Sequence, residues 1–384
     1  MARRISLISI LIGSLVLPGC APRLGYKTIP RDRFDYSTAI TSSWKEQMLL
    51  NLVKVRYVDP PVFVDIQQIV SQYTFERSGT INAPHWDGGV AESAANISGR
   101  WAESPTITFN PMTGENYIKS LIRPVTPENL LGLVEAGWPI DSIMAIGVKS
   151  INGIHAPSHV LAAKHEGDPT FYRILALLRQ LQQSDAVALQ VEGDASEEEK
   201  SSEDKDDSSD DNDKDSKNNE QDSGHTIVIF RTRELDEAGQ RASEEVRRLL
   251  HLSPDAMQFS LVFGGSAKND HEIAMLTRSM LEILGESSFG VEVPEADVTA
   301  GRVTTLEKSL PSDERKYFPL LVHSSESRPH SGDAFVLIRY RTHYFWIDDR
   351  DLQSKRSLGF LMALFTLLES GTTAAPPTLT ISKP

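Results

Sequence analysis

The chain has 384 residues, of which 40% are hydrophobic and 24% are charged. This length suffices for one large domain or two, and the composition excludes a wholly disordered chain and a multi-span membrane protein. The net charge of -14, without a concentrated basic segment, argues against nucleic-acid binding. The single cysteine, Cys20, excludes an intramolecular disulfide and a cysteine-based zinc cluster.

The N-terminus has the pattern of an export signal. A basic start, Arg3-Arg4, precedes an apolar run over residues 5–17, which is too short for a comfortable membrane span. The run ends in Leu17-Pro18-Gly19-Cys20, which resembles the lipobox of bacterial lipoproteins, although Pro18 departs from the usual residue there. An ordinary secretory signal, or a short anchor that stays in place, is the alternative interpretation.

The lipobox resemblance implies removal of residues 1–19, a thioether-linked diacylglycerol on Cys20 and acylation of the new amino group. Two or more acyl chains hold a protein stably on a bilayer, whereas one chain binds it only marginally. By analogy with enterobacterial lipoproteins, Ala21 rather than aspartate after the cysteine favours the outer membrane. The expected location is therefore the cell envelope, with the body facing the periplasm.

The mature chain is predicted to start with a tether over residues 20–35, followed by an N-terminal α+β region over 36–165. Its predicted elements are a helix over 36–57, a strand over 62–75 that could turn helical near 67–70, a loop or two edge strands over 76–101, a strand over 104–110, and helices over 115–122, 127–135 and 141–148.

The C-terminal region, residues 166–384, alternates helical and strand patterns. Its predicted elements are helices over 169–183, 234–250, 271–284 and 355–368, strands over 186–191, 226–231 and 258–263, and a hairpin over 334–340 and 344–347. Such interleaving predicts an α+β or α/β fold in which a mixed sheet is covered by helices.

An acidic, low-complexity segment over residues 192–224 interrupts the second region. Between Val191 and Ser223 there are 15 acidic residues and 4 lysines, a net charge of -11. The segment cannot bury enough apolar surface to offset its ordering entropy, so it is predicted to be disordered. Because strand patterns flank it, we expect an insertion at a hairpin tip rather than a domain boundary. Diffuse binding of divalent cations, or docking on a basic partner, is the functional alternative.

Three aspartates follow the last predicted strand, at Asp348, Asp349 and Asp351. Carboxylates at a strand end can bind magnesium or calcium or take part in acid–base chemistry. Asp349 or Asp351 could instead cap the helix that follows, and this second interpretation is favoured.

Histidines cluster at His155, His159 and His165, but Pro157 interrupts the helix that a shared metal site would need. The pair His323 and His330 flanks a polar loop. Surface loops are the favoured interpretation of both groups.

No Gly-x-Ser-x-Gly motif is present, and Phe263-Gly264-Gly265-Ser266 is interpreted as a strand-to-helix turn. Trp86 lies among turn-forming residues in Pro84-His85-Trp86-Asp87-Gly88-Gly89. It is therefore the tryptophan expected to be exposed and able to bind a sugar or a partner.

These patterns favour a non-enzymatic, lipid-anchored accessory, scaffold or assembly protein that acts through contacts with an envelope protein. No catalytic residue, metal ligand or cofactor is predicted. The body resembles proteobacterial lipoproteins of unassigned function. The alternatives are a metal-dependent periplasmic hydrolase using Asp348, Asp349 or Asp351, and a glycan- or ligand-binding module using Trp86. A scaffold should keep a broad apolar patch exposed.

Overall fold

The computed structural model describes residues 29–70, 73–81, 95–158, 167–192, 225–230, 235–303, 320–330 and 332–369. The signal segment with Cys20, the loop that contains Trp86, and residues 193–224 of the acidic insertion lie outside the described residues.

The described residues form nine helices and thirteen strands, numbered in chain order. The helices are α1 (Ile29–Arg56), α2 (Glu115–Ile122), α3 (Pro127–Glu135), α4 (Ile140–Gly147), α5 (Pro169–Gln183), α6 (Glu237–Leu249), α7 (Met280–Ser288), α8 (Glu295–Thr299) and α9 (Leu352–Glu369). The strands are β1 (Val64–Val70), β2 (Tyr73–Ile81), β3 (Ala95–Glu103), β4 (Thr106–Pro111), β5 (Val148–Ile151), β6 (Ile154–His155), β7 (Val187–Glu192), β8 (His225–Phe230), β9 (Gln258–Phe263), β10 (Glu272–Thr277), β11 (His323–Ser325), β12 (Ala334–Tyr340) and β13 (His343–Asp348).

The largest sheet has six strands in the order β6-β5-β10-β9-β8-β7. Strands β9 and β10 are parallel and the other neighbours are antiparallel, so the predicted mixed sheet is confirmed. Strands β7 and β8 pair from Val187 opposite Phe230 to Glu192 opposite His225. The acidic insertion therefore joins two partners of one hairpin, as predicted.

Helices cover one face of this sheet. In β9, Phe259 and Leu261 are buried on the helix side, whereas Gln258 and Ser260 are exposed on the other. This alternation is typical of a strand with one face on the core and one in water, whereas the central strand β10 is buried on both faces. Strands β5 and β6, which precede residue 165, lie in the same sheet as β7 to β10, and the fold is α+β.

Helix α1 packs against a second sheet, of order β11-β13-β12, and against α7 and α9. Its buried C-terminal half contributes Met48, Leu49 and Leu52 to the core. The small sheet contributes Phe345 and Ile347, which are also fully buried. Residues from α1 through α9 thus share one hydrophobic core with the large sheet.

The helix predicted over 271–284 is wrong. Strand β10 occupies Glu272–Thr277, and α7 begins at Met280 after a capping box formed by Ser279 and Glu282. A central strand buried on both faces has a continuous apolar run, which imitates a helix segment. The Gly264-Gly265 turn therefore joins β9 to β10, a strand-to-strand connection rather than the expected strand-to-helix turn.

Two predicted boundaries in the N-terminal region also differ from the structure. Helix α1 begins at Ile29, inside the expected tether, because Pro30 is compatible with a first helical turn. The single strand expected over 62–75 is divided into β1 and β2, which pair with different strands. Residues 67–70 are part of β1 and are not helical.

A buried polar cluster joins the end of α1 to α8. The Tyr57 hydroxyl donates to Asp297 Oδ2 over 2.7 Å, and Arg302 donates to Oδ1 over 2.7 Å. Both hydrogen bonds stabilise the ionised carboxylate and lower the Asp297 pKa.

The Asp297 cluster predicts a pH dependence of stability. Because the folded-state pKa is lowered, the carboxylate stabilises the fold above the ordinary aspartate pKa of about 4, and this contribution is lost as the pH falls through the lowered pKa. Asp297→Asn should therefore be less stable than the native chain at pH 7, with the difference shrinking towards pH 3. Urea unfolding at both pH values measures this, and a constant difference would contradict it.

Candidate functional site

The three aspartates near the last helix are each engaged locally. Asp351 accepts hydrogen bonds from the Ser354 backbone N–H at 3.0 Å and from its hydroxyl at 2.5 Å, so the predicted capping of α9 is confirmed. The Asp349 carboxylate lies 2.7 Å from Lys355 Nζ. Asp348 accepts from the backbone N–H two residues downstream at 2.8 Å. The three groups thus serve the turn between β13 and α9.

The histidines that the structure describes do not form a cluster. His155 lies in the edge strand β6, whereas His159 and His165 are outside the described residues. His323 Nδ1 lies 3.2 Å from the Glu292 carboxylate. Within the part of the chain that the structure describes, no group of three histidine, cysteine or acidic side chains could hold a metal ion.

The most unusual surface is a two-stranded ribbon formed by β1 and β4. The strands are antiparallel, with Ile66 opposite Phe109 and Ile69 opposite Ile107. Directly paired residues of an antiparallel ribbon lie on the same face. These four side chains define the apolar arm face. The pairing register of β1 with β4 shifts by an irregularity between positions 66 and 68.

The β4 side of the apolar arm face is open to solvent, whereas Ile66 and Ile69 of β1 are half-buried. All residues of β4 are exposed, and the exposed fractions of Ile107 and Phe109 are 40% and 60%. A two-stranded hairpin is marginally stable in water unless a helix or a further strand covers its apolar face. These side chains have the exposure expected of a surface that binds a partner.

Strands β2 and β3 extend this ribbon along the chain. They pair over their full length, from Tyr73 opposite Glu103 to Ile81 opposite Ala95. Only two residues separate β1 from β2, and two separate β3 from β4. The pairing registers of the two ribbons agree, with Val70 opposite Thr106 and Tyr73 opposite Glu103, and the four strands together are called the arm below. Trp86 lies between β2 and β3 in the sequence, outside the described residues.

Two amide side chains of α1 fix the base of the arm. Asn51 Nδ2 donates to the Val62 carbonyl at 2.9 Å, and Asn51 Oδ1 accepts from the Val62 N–H at 2.9 Å. Gln47, one helical turn earlier, makes the same pair of bonds with Val64, at 3.1 and 2.8 Å. The two side chains replace a neighbouring strand, so they satisfy backbone groups that an edge would leave unpaired.

The connection between arm and body is also packed. Phe63, immediately before β1, is fully buried and stacks on Phe365 of α9, with ring centroids 4.1 Å apart. The Met112 N–H, just after β4, donates to the Phe63 carbonyl at 2.9 Å. The two ends of the arm are thus adjacent, and the arm leaves a well-packed part of the core.

Helix α1 links this base to the N-terminal segment. It begins at Ile29, nine positions after Cys20, and has 28 residues, which corresponds to a length of about 42 Å. Its N-terminal half is largely exposed, including Phe34, whereas the half that carries Gln47 and Asn51 is packed. The arm is therefore attached to the helix that begins inside the expected tether.

The sequence predicted strands over 62–75 and 104–110 and left 76–101 as a loop or two edge strands, without predicting which strands pair. The alternation in Thr106–Pro111 indicates an exposed strand, and it was a usable signal for Ile107 and Phe109. Nothing local identifies Gln47 and Asn51 as contacts of the arm, because their partners lie 11 to 17 positions away.

No protein-family model matches the chain, and neither a curated protein nor a solved structure matches it. Among the described helices, none is both long and apolar enough to cross a membrane.

Proposed function

We propose that this chain is a lipid-anchored protein of the bacterial cell envelope that acts without catalysis, as an accessory, scaffold or assembly factor. Cys20 carries the lipid, the outer membrane is the expected membrane, and the body faces the periplasm. The arm makes the functional contact, with another envelope protein that presents an apolar surface.

The observation that carries this proposal is the exposure of Ile107 and Phe109 on a two-stranded ribbon. A partner that removes the apolar side chains of such a ribbon from water stabilises the complex by about 25 cal/mol per Å² of apolar surface buried. Among the described residues, no strand other than its partner pairs with β1 beyond Val64 or with β4, so a partner strand can add to the ribbon. The local roles of Asp348, Asp349 and Asp351 favour this proposal over a hydrolase that depends on them.

The lipid anchor makes a direct prediction. Cys20→Ala should move the protein from the membrane fraction to the soluble fraction of cells, because acyl chains supply the bilayer affinity. The N-terminal peptide of the native protein should start at Cys20 and carry a lipid-sized mass increment. An unmodified Cys20, or a Cys20→Ala protein that stays with membranes, would contradict the anchor.

Cross-linking in intact cells tests the contact. The full-length chain should give a discrete complex with the same protein in repeated preparations, as a specific interface requires. The proposal fails if the cross-linked products are heterogeneous, or if the chain remains alone at cross-linker concentrations that capture known envelope complexes.

A further inference from the structure

The distal half of the arm, formed by β2 and β3, has one apolar face. Directly paired residues of an antiparallel ribbon share a face, and the faces alternate along each strand. The pairing runs from Tyr73 opposite Glu103 to Ile81 opposite Ala95 without a shift of register. All the large apolar and aromatic residues of the two strands therefore occupy one face, called the distal arm face: Tyr73, Phe75, Ile81, Ile97 and Trp101. The opposite face holds Thr74, Glu76, Ser78, Thr80, Asn96, Ser98, Arg100 and Ala102.

The arm and helix α1 leave their common base in the same direction. Asn51 bonds to Val62, and Gln47, one turn earlier in the helix, bonds to Val64. Positions nearer the start of α1 therefore lie beside positions farther along β1. Four residues of a helix rise about 6 Å and two residues of a strand about 6.6 Å, so the two elements advance together from this base. The distal arm thus extends towards the N-terminal end of α1, which begins nine positions after Cys20.

The reach of the arm matches the distance to a membrane that holds Cys20. Along α1, Ile29 is about 27 Å from the level of Gln47. The extended chain between Ile29 and Cys20 adds at most about 30 Å. The membrane surface therefore lies between about 27 and 57 Å from the base of the arm. Tyr73 is about 30 Å and Ile81 about 56 Å beyond Val64 along the arm, so the distal arm covers the same range.

We propose that the distal arm face lies on the phospholipid bilayer that holds the lipid of Cys20. This inference rests on the anchor of the proposed function and is independent of the protein contact made by Ile107 and Phe109. Tryptophan and tyrosine are enriched at membrane–water interfaces, where their rings have both apolar and polar surroundings. The formal charges on this face, Arg77 and Glu103, cancel, so the contact requires no anionic lipid.

The ribbon stays at the level of the lipid headgroups. A two-stranded ribbon leaves the outward N–H and C=O groups of both strands to water, and such groups cannot enter the hydrocarbon region unpaired. A contact of this depth is weak by itself, and the tether strengthens it by keeping the arm close to the bilayer. Cys20→Ala should therefore still release the protein from membranes.

Fluorescence quenching by lipids tests the contact in the full-length lipidated protein. A thiol-reactive fluorophore is attached to Ile97→Cys or to Ser98→Cys, which are neighbours on opposite faces of the arm; the lipidated chain has no other free thiol. In vesicles of uncharged phosphatidylcholine, a nitroxide near the lipid headgroup should quench the fluorophore at position 97 at least threefold more than at position 98. A nitroxide deep in the acyl chain should quench position 97 less than the shallow one.

A charged substitution tests the face itself. Phe75→Asp, on the distal arm face, should reduce the quenching at position 97 at least threefold, whereas Thr74→Asp, on the opposite face, should leave it unchanged.

Flotation of the vesicles distinguishes failure of the anchor from failure of the arm contact. A full-length protein that does not float overturns the anchor and this inference with it. A protein that floats, but is quenched equally at positions 97 and 98 or not at all, overturns the bilayer contact alone and leaves the face to a protein partner. A blue-shifted emission at position 97 that disappears at one protein per vesicle would assign the face to a second copy of the chain and would also overturn the proposal.

Discussion

Replacing residues 65–110 by an Asn-Gly turn is expected to abolish the cross-linked complex and to preserve the body of the protein. Val64 and Pro111 are directly paired, and a two-residue Asn-Gly turn connects such a pair in a hairpin. The bonds of Gln47 to Val64 and of Asn51 to Val62 are kept, because the replaced residues begin after them. The yield of the complex should fall at least tenfold, as measured by cross-linking in intact cells.

The double variant Ile107→Ser, Phe109→Ser distinguishes the contribution of the apolar arm face to the contact from that of the arm backbone. Both positions are exposed, so the free energy of unfolding should change by only about 0.5 kcal/mol or less. The complex should nevertheless be lost, because central apolar contacts of an interface carry about 2 kcal/mol or more each. A native yield of complex from this variant would show that the contact is made elsewhere.

The largest loss of stability is expected from Arg278→Met. Arg278 is buried between β10 and α7, and its guanidinium donates to the carbonyls of Ala145, Ile146 and Pro157 over 2.8 to 3.0 Å. Two of these carbonyls belong to the last turn of α4, where no intrahelical donor is available. Burial lowers the pKa of Arg278, and the nearby acidic side chain of Glu286 opposes that effect.

Arg278→Met removes the guanidinium donor from three carbonyls, so the free energy of unfolding should fall by about 3–5 kcal/mol. This is a large part of the 5–15 kcal/mol that is typical of a domain. The matched control is Arg350→Met, whose partner Asp333 lies 3.1 Å away at the surface, and whose cost should stay below about 1 kcal/mol. Urea unfolding compares the two variants, and equal losses would contradict the structural role of Arg278.

Hydrophobic periodicity correctly predicted those elements in which tertiary contacts do not override the local helix or strand preference. Helix α5 was predicted at its observed bounds, because Asp168 caps it and Pro169 occupies its first turn. Helices α2 and α3 were also predicted at their observed bounds. The hairpin around the acidic insertion was also predictable. A long polar insertion is tolerated at a hairpin turn, because the entropy cost of closing a loop rises only slowly with its length.

Strand β10 shows where local pattern fails. Its apolar residues Ile273, Ala274 and Met275 are buried, because β10 lies between β5 and β9 in the middle of the sheet. Strand β5 is distant from β10 in the chain. A run of this kind fits a buried strand as well as a helix. The capping-box pair Ser279 and Glu282 was the available signal that the helix starts later.

The candidate site depended still more on long-range structure. The pairing of β1 with β4 sets the face on which Ile107 and Phe109 lie, and pairing across some 40 residues cannot be derived from alternation alone. An apolar cavity between the large sheet and its helices is lined by residues from three helices and four strands, such as Leu131 of α3 and Ile273 of β10. By contrast, Cys20 and the signal pattern are local, so the expected anchor needed only the first 20 residues.

Site-specific photocross-linking from position 109 in living cells tests the central claim most directly. A photoreactive amino acid in place of Phe109 should give a single protein adduct of reproducible mass, and the same amino acid at Glu244, an exposed position on α6, should not. The account predicts that mass spectrometry identifies an envelope protein in the adduct. Equal adducts from both positions, a cross-link only to another copy of this chain, or no adduct at position 109 would contradict it.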